Sequence, residues 1–133
     1  MTPTEIEEFL AADRNAVLAT NGSDGIPQLT PVWFLYEDSL LYVSAQSETV
    51  KVRNLRRDPS IAVCIDGGRS DGRYVVLRGQ AELIEPSQPR QEEMRRRIIH
   101  KYHDSAEEAD TYYASVRANP GILIVLRPQK IVS

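Results

Sequence analysis

Two apolar runs, residues 33–36 and 40–43, stand on either side of a three-residue polar turn, Glu37-Asp38-Ser39. Neither run alternates cleanly with polar residues, which is how a strand reads when both of its faces are covered. A short polar link between two such runs predicts an antiparallel hairpin. A helix start follows directly. Ser47 is a good N-cap residue, residues 48–55 have helical composition, and Asp58-Pro59 supplies a stop. The first turn of any helix leaves backbone N–H groups without partners and carries the positive end of the dipole. Lys51 adds a full charge there, so hydroxyls, free amides and a lysine are predicted at one place, the makings of a phosphate site.

The remaining pattern is mostly β. Thr2-Pro3-Thr4-Glu5 reads as a capping box with proline at the first helical position, and a short helix to about Ala12 is expected. Strands are predicted over 16–20, 26–36, 61–65 and 74–84, and the last apolar run, 122–126, precedes an Arg127-Pro128 turn into a final strand at 130–132. Glycine-containing turns fall at 21–25 and 67–72. Met94, Ile98, Ile99 and Tyr102 have helical spacing within residues 91–102, and 106–116 reads as a second helical stretch. Six or seven strands joined by hairpins, with few helices, predict a small antiparallel barrel closed so that few edges stay exposed. Such a barrel has one interior. The apolar run at 32–36 should therefore bury its second face against something outside, and a second copy of the chain, in a two-fold dimer, is the expected cover.

Composition narrows the function. The 133 residues are 41% hydrophobic and 26% charged, which suits one domain spanning residues 1–133. A formal charge of −3 argues against general nucleic-acid binding, which draws its affinity from a basic face. Residues 1–10 do not read as a secretory leader, no apolar run approaches a membrane span, and Cys64 is the single cysteine; a cytoplasmic protein without disulfides is expected. Cys64 lies among Ala62, Val63 and Ile65 and reads as a small buried residue. His100 and His103 lack a third ligand at useful spacing, so no metal is expected. Arg95, Arg96 and Arg97, beside Glu92 and Glu93, read as a solvated helix face. Nothing groups as a Ser-His-Asp triad or a carboxylate pair, and Gly67 to Gly72 lacks the Lys-Ser/Thr of a phosphate loop.

The ordered set of TPVWF in the second strand, LLYVS in the third, KVRNLRRDP on the helix and a late RPQKIV strand resembles the pyridoxamine 5′-phosphate oxidase-like split-barrel flavoproteins. Within them the chain is most similar to the branch that uses the deazaflavin coenzyme F420. The resemblance spans about residues 9–132. It implies a mainly β fold, a split barrel of the FMN-binding type with six or seven antiparallel strands and a few helices. It implies a homodimer holding two cofactors in grooves at the subunit interface.

Carried over residue by residue, the resemblance places Thr30, Pro31, Val32 and Trp33 along the ring edge. It gives the phosphate to Ser44, Thr49 and Lys51, and lets Arg53 and Arg57 reach an anionic tail. The oxidases proper carry an arginine near Thr30 and an Arg-Lys pair where this chain has Val50-Lys51. That departure disfavours tight FMN, while the arginines at 53, 56 and 57 suit an acidic poly-glutamate tail. The implied reaction is hydride transfer between reduced deazaflavin and an unsaturated or conjugated small-molecule acceptor. FMN is the alternative cofactor, and a carrier of flavin, deazaflavin or haem without turnover is the alternative role. No catalytic acid is assigned: Tyr36, Tyr42 and Tyr74 are candidate proton donors, and water is the alternative. On residue type alone, Lys51 and Arg53 also read as solvated helix charges, Trp33 as a core or interface aromatic, and Thr30 and Ser44 as ordinary strand hydroxyls.

Overall fold

The computed structural model describes residues 1–133. Four helices, α1 (Pro3–Ala11), α2 (Val50–Arg57), α3 (Pro89–Lys101) and α4 (Ala106–Val116), accompany seven strands. These are β1 (Asn15–Asn21), β2 (Pro27–Val32), β3 (Leu35–Glu37), β4 (Leu40–Gln46), β5 (Ser60–Asp66), β6 (Tyr74–Ile84) and β7 (Gly121–Val132). All pairings are antiparallel, in the order β2-β1-β5-β6-β7-β4-β3. No helix is long and apolar enough to cross a membrane.

That order puts β2 and β3, neighbours in the chain, at opposite edges of the sheet. Only Trp33 and Phe34 lie between them, so Val32 and Leu35 can be no more than about 11 Å apart. The sheet must curl until its edges nearly meet. They do not pair: the barrel is split, as the family resemblance implies, and not closed as the strand pattern alone suggests. Residues 26–36, expected as one strand, are two separated at this seam.

The inner face holds the main core, with Leu18, Leu41, Val63, Leu77 and Ile124 from the strands and Phe9, Leu10, Val52 and Leu55 from α1 and α2. On the outer face of β4, β6 and β7, helix α3 lays Met94 and Ile98 over Tyr42, Ile84, Leu123 and Val125. Residues 121–126 are consequently buried on both sides. The run at 33–36 behaves differently. Phe34 is buried in the core, but Trp33 turns outward and stacks on Tyr102 with ring centroids 5.1 Å apart. The second face of that run is thus partly covered by the chain's own helical insert.

Local chemistry explains the boundaries. Thr2 Oγ1 accepts from the Glu5 amide, and Glu5 Oε1 accepts from the Thr2 amide, so the capping box starts α1. Asp38 and Ser39 both have positive φ, the geometry of a tight hairpin turn between β3 and β4. β7 continues through Pro128 where a break was expected. The register shifts between Arg78 and Gly79, and Gly79 pairs with Pro128. A Cβ at Gly79 would lie 2.1 Å from the Arg127 carbonyl, so only glycine lets the bulged strand pass. Cys64 is exposed rather than buried, because β5 alternates and Val63 and Ile65 take the inward positions.

Across the other half of the outer face, register aligns Pro31, Val17, Cys64, Val76 and Val132 in one row over five strands. With Leu29 64% exposed and Val17 39% exposed, this row is apolar and uncovered within the subunit, with exposed Arg78 and Lys130 two positions along on the same face.

Candidate functional site

The split between the sheet edges opens as a cleft of about 570 Å³. Pro31, Val32 and Trp33 line it from the β2 side, Ser44 and Gln46 from β4, and Lys51 from α2. Five of the nine residues expected at the site therefore share one wall.

Lys51 sits there because α2 is anchored behind it. Val52 and Leu55 are buried in the main core, each worth roughly 1.5–3 kcal/mol of transfer free energy. Buried Asn54 donates from Nδ2 to Thr20 Oγ1 at 3.0 Å, which fixes the helix against β1. The cap is Thr49, not Ser47, so the helix begins later than the sequence reading placed it. Thr49 does not cap with its side chain, and its hydroxyl instead donates to the Gln46 carbonyl at 2.9 Å. The first helical backbone bond runs from the Arg53 amide to the Thr49 carbonyl, which leaves the Val50, Lys51 and Val52 amides without acceptors. No acidic residue stands in this turn. Lys51 is half-buried, makes no hydrogen bond or ion pair, and burial lowers its pKa from the ordinary lysine value. An unpaired cation on the cleft wall and three free amides thus belong to one helical turn, and an anion would relieve both.

The other expected residues lie elsewhere. Thr30 donates to Gln28 Oε1 at 3.2 Å, beside the cleft on β2. Arg53 Nη1 donates to the Glu48 carbonyl at 2.9 Å. Arg57 donates to the Asn21 carbonyl and to Asn54 Oδ1, binding α2 to the end of β1. Arg56 makes a two-pronged ion pair with Glu85, both bonds 3.0 Å. The arginine cluster is thus largely engaged in holding the helix. Among the tyrosines, Tyr42 accepts from Arg90 under α3, Tyr36 packs against the core and Tyr74 is exposed on β6.

The far wall of the cleft was not foreseen. It comes from α3 and α4, with Ile98, Ile99, Tyr112, Val116 and Arg95. Arg95 is only 5% exposed, contrary to the solvated face expected for the Arg95-Arg96-Arg97 run. Its Nη1 donates to the Asn119 carbonyl at 3.0 Å and its Nη2 to the Val116 carbonyl. Arg96 and Arg97 do face outward, over Tyr113 and onto Glu37. Helical spacing could have found Arg95, because it precedes buried Ile98 and Ile99 by three and four positions. His103 and Tyr112 pack around Trp33, and His100 contacts Asp110.

A family model described as pyridoxamine 5′-phosphate oxidase matches residues 2–132. Several solved structures share the fold. A conserved hypothetical protein from Mycobacterium tuberculosis is 24% identical over 98% of this chain and 82% of its own, with a TM-score of 0.78. A protein described as an F420 reductase is 23% identical over 95% of this chain and 94% of its own, with a TM-score of 0.72. An FAD-binding protein from Mesorhizobium loti is 20% identical over 98% of this chain and 92% of its own, with a TM-score of 0.70.

Proposed function

Because the chain belongs to the pyridoxamine 5′-phosphate oxidase family of flavin-type oxidoreductases, we propose that it binds coenzyme F420 in the cleft and transfers a hydride between the reduced deazaflavin and an unsaturated or conjugated acceptor. The observation that carries this reading is Lys51, a half-buried cation without a partner beside three free amides. When bound, the deazaflavin supplies the hydride, and the protein supplies position and surroundings. Lys51 and the first turn of α2 hold the phosphate, with the Ser44 hydroxyl on the same wall. Trp33, Val32 and Pro31 form the apolar side against which a ring system lies.

The single cation favours F420 over FMN. A terminal phosphate monoester carries close to two charges at neutral pH, whereas the phosphodiester of F420 carries one. One lysine balances the second better than the first. The likeness to an F420 reductase in fold points the same way. FMN is the second reading, favoured by the three free amides, which can also cradle a terminal phosphate.

Val17 and Pro31 belong both to the cleft and to the uncovered apolar row on the outer face. A two-fold dimer through that face would close the cleft from outside, and sedimentation at micromolar concentration should give twice the mass of the 15.0 kDa chain. A clean monomer would remove the shared groove. The cofactor reading is tested by incubation with F420 or FMN, gel filtration and an absorbance spectrum. F420 should be retained, and its reduced form should be oxidised on addition of enones or quinones. Retention of FMN instead, with rapid reoxidation by oxygen, would overturn the assignment. Retention of F420 without any turnover would make the protein a carrier.

A further inference from the structure

We propose that the α3–α4 wall of the cleft is the acceptor pocket and that it selects planar conjugated molecules bearing a carboxylate, with Arg95 as the residue that recognises the acid. This rests on the oxidoreductase reading of the cleft and names its substrate class.

The wall is built for a flat apolar body. Trp33 and Tyr112 are both partly exposed, 38% and 39%, and their rings sit 5.2 Å apart at 49° on the cleft surface. Tyr102 stacks behind Trp33 at an interplanar angle of 10° and holds it in place. Ile98, Ile99 and Val116 continue the apolar surface from the two helices. Aromatic faces with aliphatic neighbours accept rings and conjugated chains well.

Arg95 gives that apolar surface a single charged point. Its guanidinium is buried, yet its hydrogen-bond acceptors are two neutral carbonyls. The nearest carboxylate, Glu92, forms only a long ion pair through Oε2 at 3.8 Å, beyond hydrogen-bond reach, and its Oε1 accepts from the Tyr113 hydroxyl. A second donor packs behind it, off the cleft lining. Gln91 Nε2 is buried without an acceptor, and both groups crowd Gly121, where a Cβ would lie 2.4 Å from Gln91 Nε2 and 3.1 Å from Arg95 Nη1. A guanidinium offers five donors in a planar fork suited to carboxylate, and two of its nitrogens are only partly used here. A neutral acceptor of the same shape would leave the guanidinium with only the long pair to Glu92.

The test is direct binding without cofactor, using trans-cinnamate and its uncharged counterpart cinnamamide. Titration calorimetry gives the affinities, and quenching of Trp33, the only tryptophan, reports that the ligand is in the cleft. Cinnamate should bind about tenfold or more tightly than the amide, as a charge-assisted bond requires. R95Q should level the two, and R95K should keep part of the preference. Equal binding of acid and amide by the wild-type protein would overturn the proposal. So would survival of the preference in R95Q, which would place the acid away from Arg95. Arg95 also ties down the end of α4, so R95Q is checked by circular dichroism. Should it not fold, the wild-type ratio and R95K carry the test. Cinnamate selectivity without retention of F420 or FMN would sink the cofactor reading and leave this one standing.

Discussion

Lys51, at the start of α2, and Lys101, at the end of α3, are both half-buried lysines, and they stand in opposite circumstances. Lys101 donates to the Leu10 and Phe34 carbonyls at 3.3 and 2.9 Å and lies 3.6 Å from the centre of the Phe34 ring. It joins α1, the β2–β3 seam and α3. Lys51 joins nothing. The same side chain at similar depth is a structural tie where its donors are used and an open binding group where they are not. Burial alone does not distinguish the two; the count of partners does.

Replacing each lysine should separate binding from stability. Lys51→Ala is expected to weaken cofactor binding by tenfold to more than a hundredfold, because a charge-assisted contact is worth about 1.5–3 kcal/mol. Thermal unfolding of the same variant should be unchanged or slightly higher, since an uncompensated charge leaves a partly buried place. An unaltered dissociation constant would assign Lys51 to solvent. Lys101→Ala should do the reverse. Stripping the donor from two carbonyls is expected to cost about 2 kcal/mol, or roughly 5–10 °C in melting temperature, with little change in cofactor affinity. Equal melting temperatures for the two variants would abolish the contrast.

pH should sharpen it further. Burial pushes Lys101 down to about 8, below the 10.5 of a free lysine. Between those values the unfolded chain binds more protons than the folded one, so this group makes stability rise with pH from about 8 towards 10.5. Tyr102, held at about 12 against an ordinary 10.0, acts oppositely: its contribution is complete below pH 10 and is lost as pH rises through 12. Denaturant titrations from pH 7.5 to 9.5 should show the lysine's rise, and Lys101→Met should flatten it. For Lys51 the lowered pKa means that cofactor affinity should begin to fall at a lower pH than an ordinary lysine would allow.

The smallest effects should come from the arginines. Arg53→Ala is expected to change F420 affinity less than about fivefold, as exposed pairs contribute under about 1 kcal/mol. Arg57→Ala should act on melting temperature instead, through the tie to Asn21. A large, salt-sensitive loss of F420 binding in Arg53→Ala would return the acidic tail to this helix.

What could be read from the sequence was what local chemistry determines. The capping box at Thr2 and Glu5, the span of β6 and the span of α4 all follow from neighbouring residues. Lys51 was legible for the same reason, lying in the first turn of a helix with a recognisable stop. What escaped depends on partners far along the chain. Cys64 faces outward because of strand register, and β7 runs through Pro128 because Gly79, about fifty residues earlier, makes room for a bulge. Arg95 looked solvated within its run of three, and only the carbonyls at Val116 and Asn119 make its burial tolerable. Trp33 reads as apolar filling until the seam between the sheet edges puts it on the cleft.

The place of β7 has a consequence for how the chain is made. It is the last of the seven strands to be synthesised, yet it pairs with both β6 and β4 near the middle of the sheet. Until it emerges, β2-β1-β5-β6 and the β3-β4 hairpin are two separate pieces, each presenting an unpaired apolar border. A ribosome that pauses before residue 121 would hold out two sticky edges at once, open to chaperones or to another nascent copy. The sheet therefore exists as two pieces until the strand that joins them, the last to arrive, takes its place between β6 and β4.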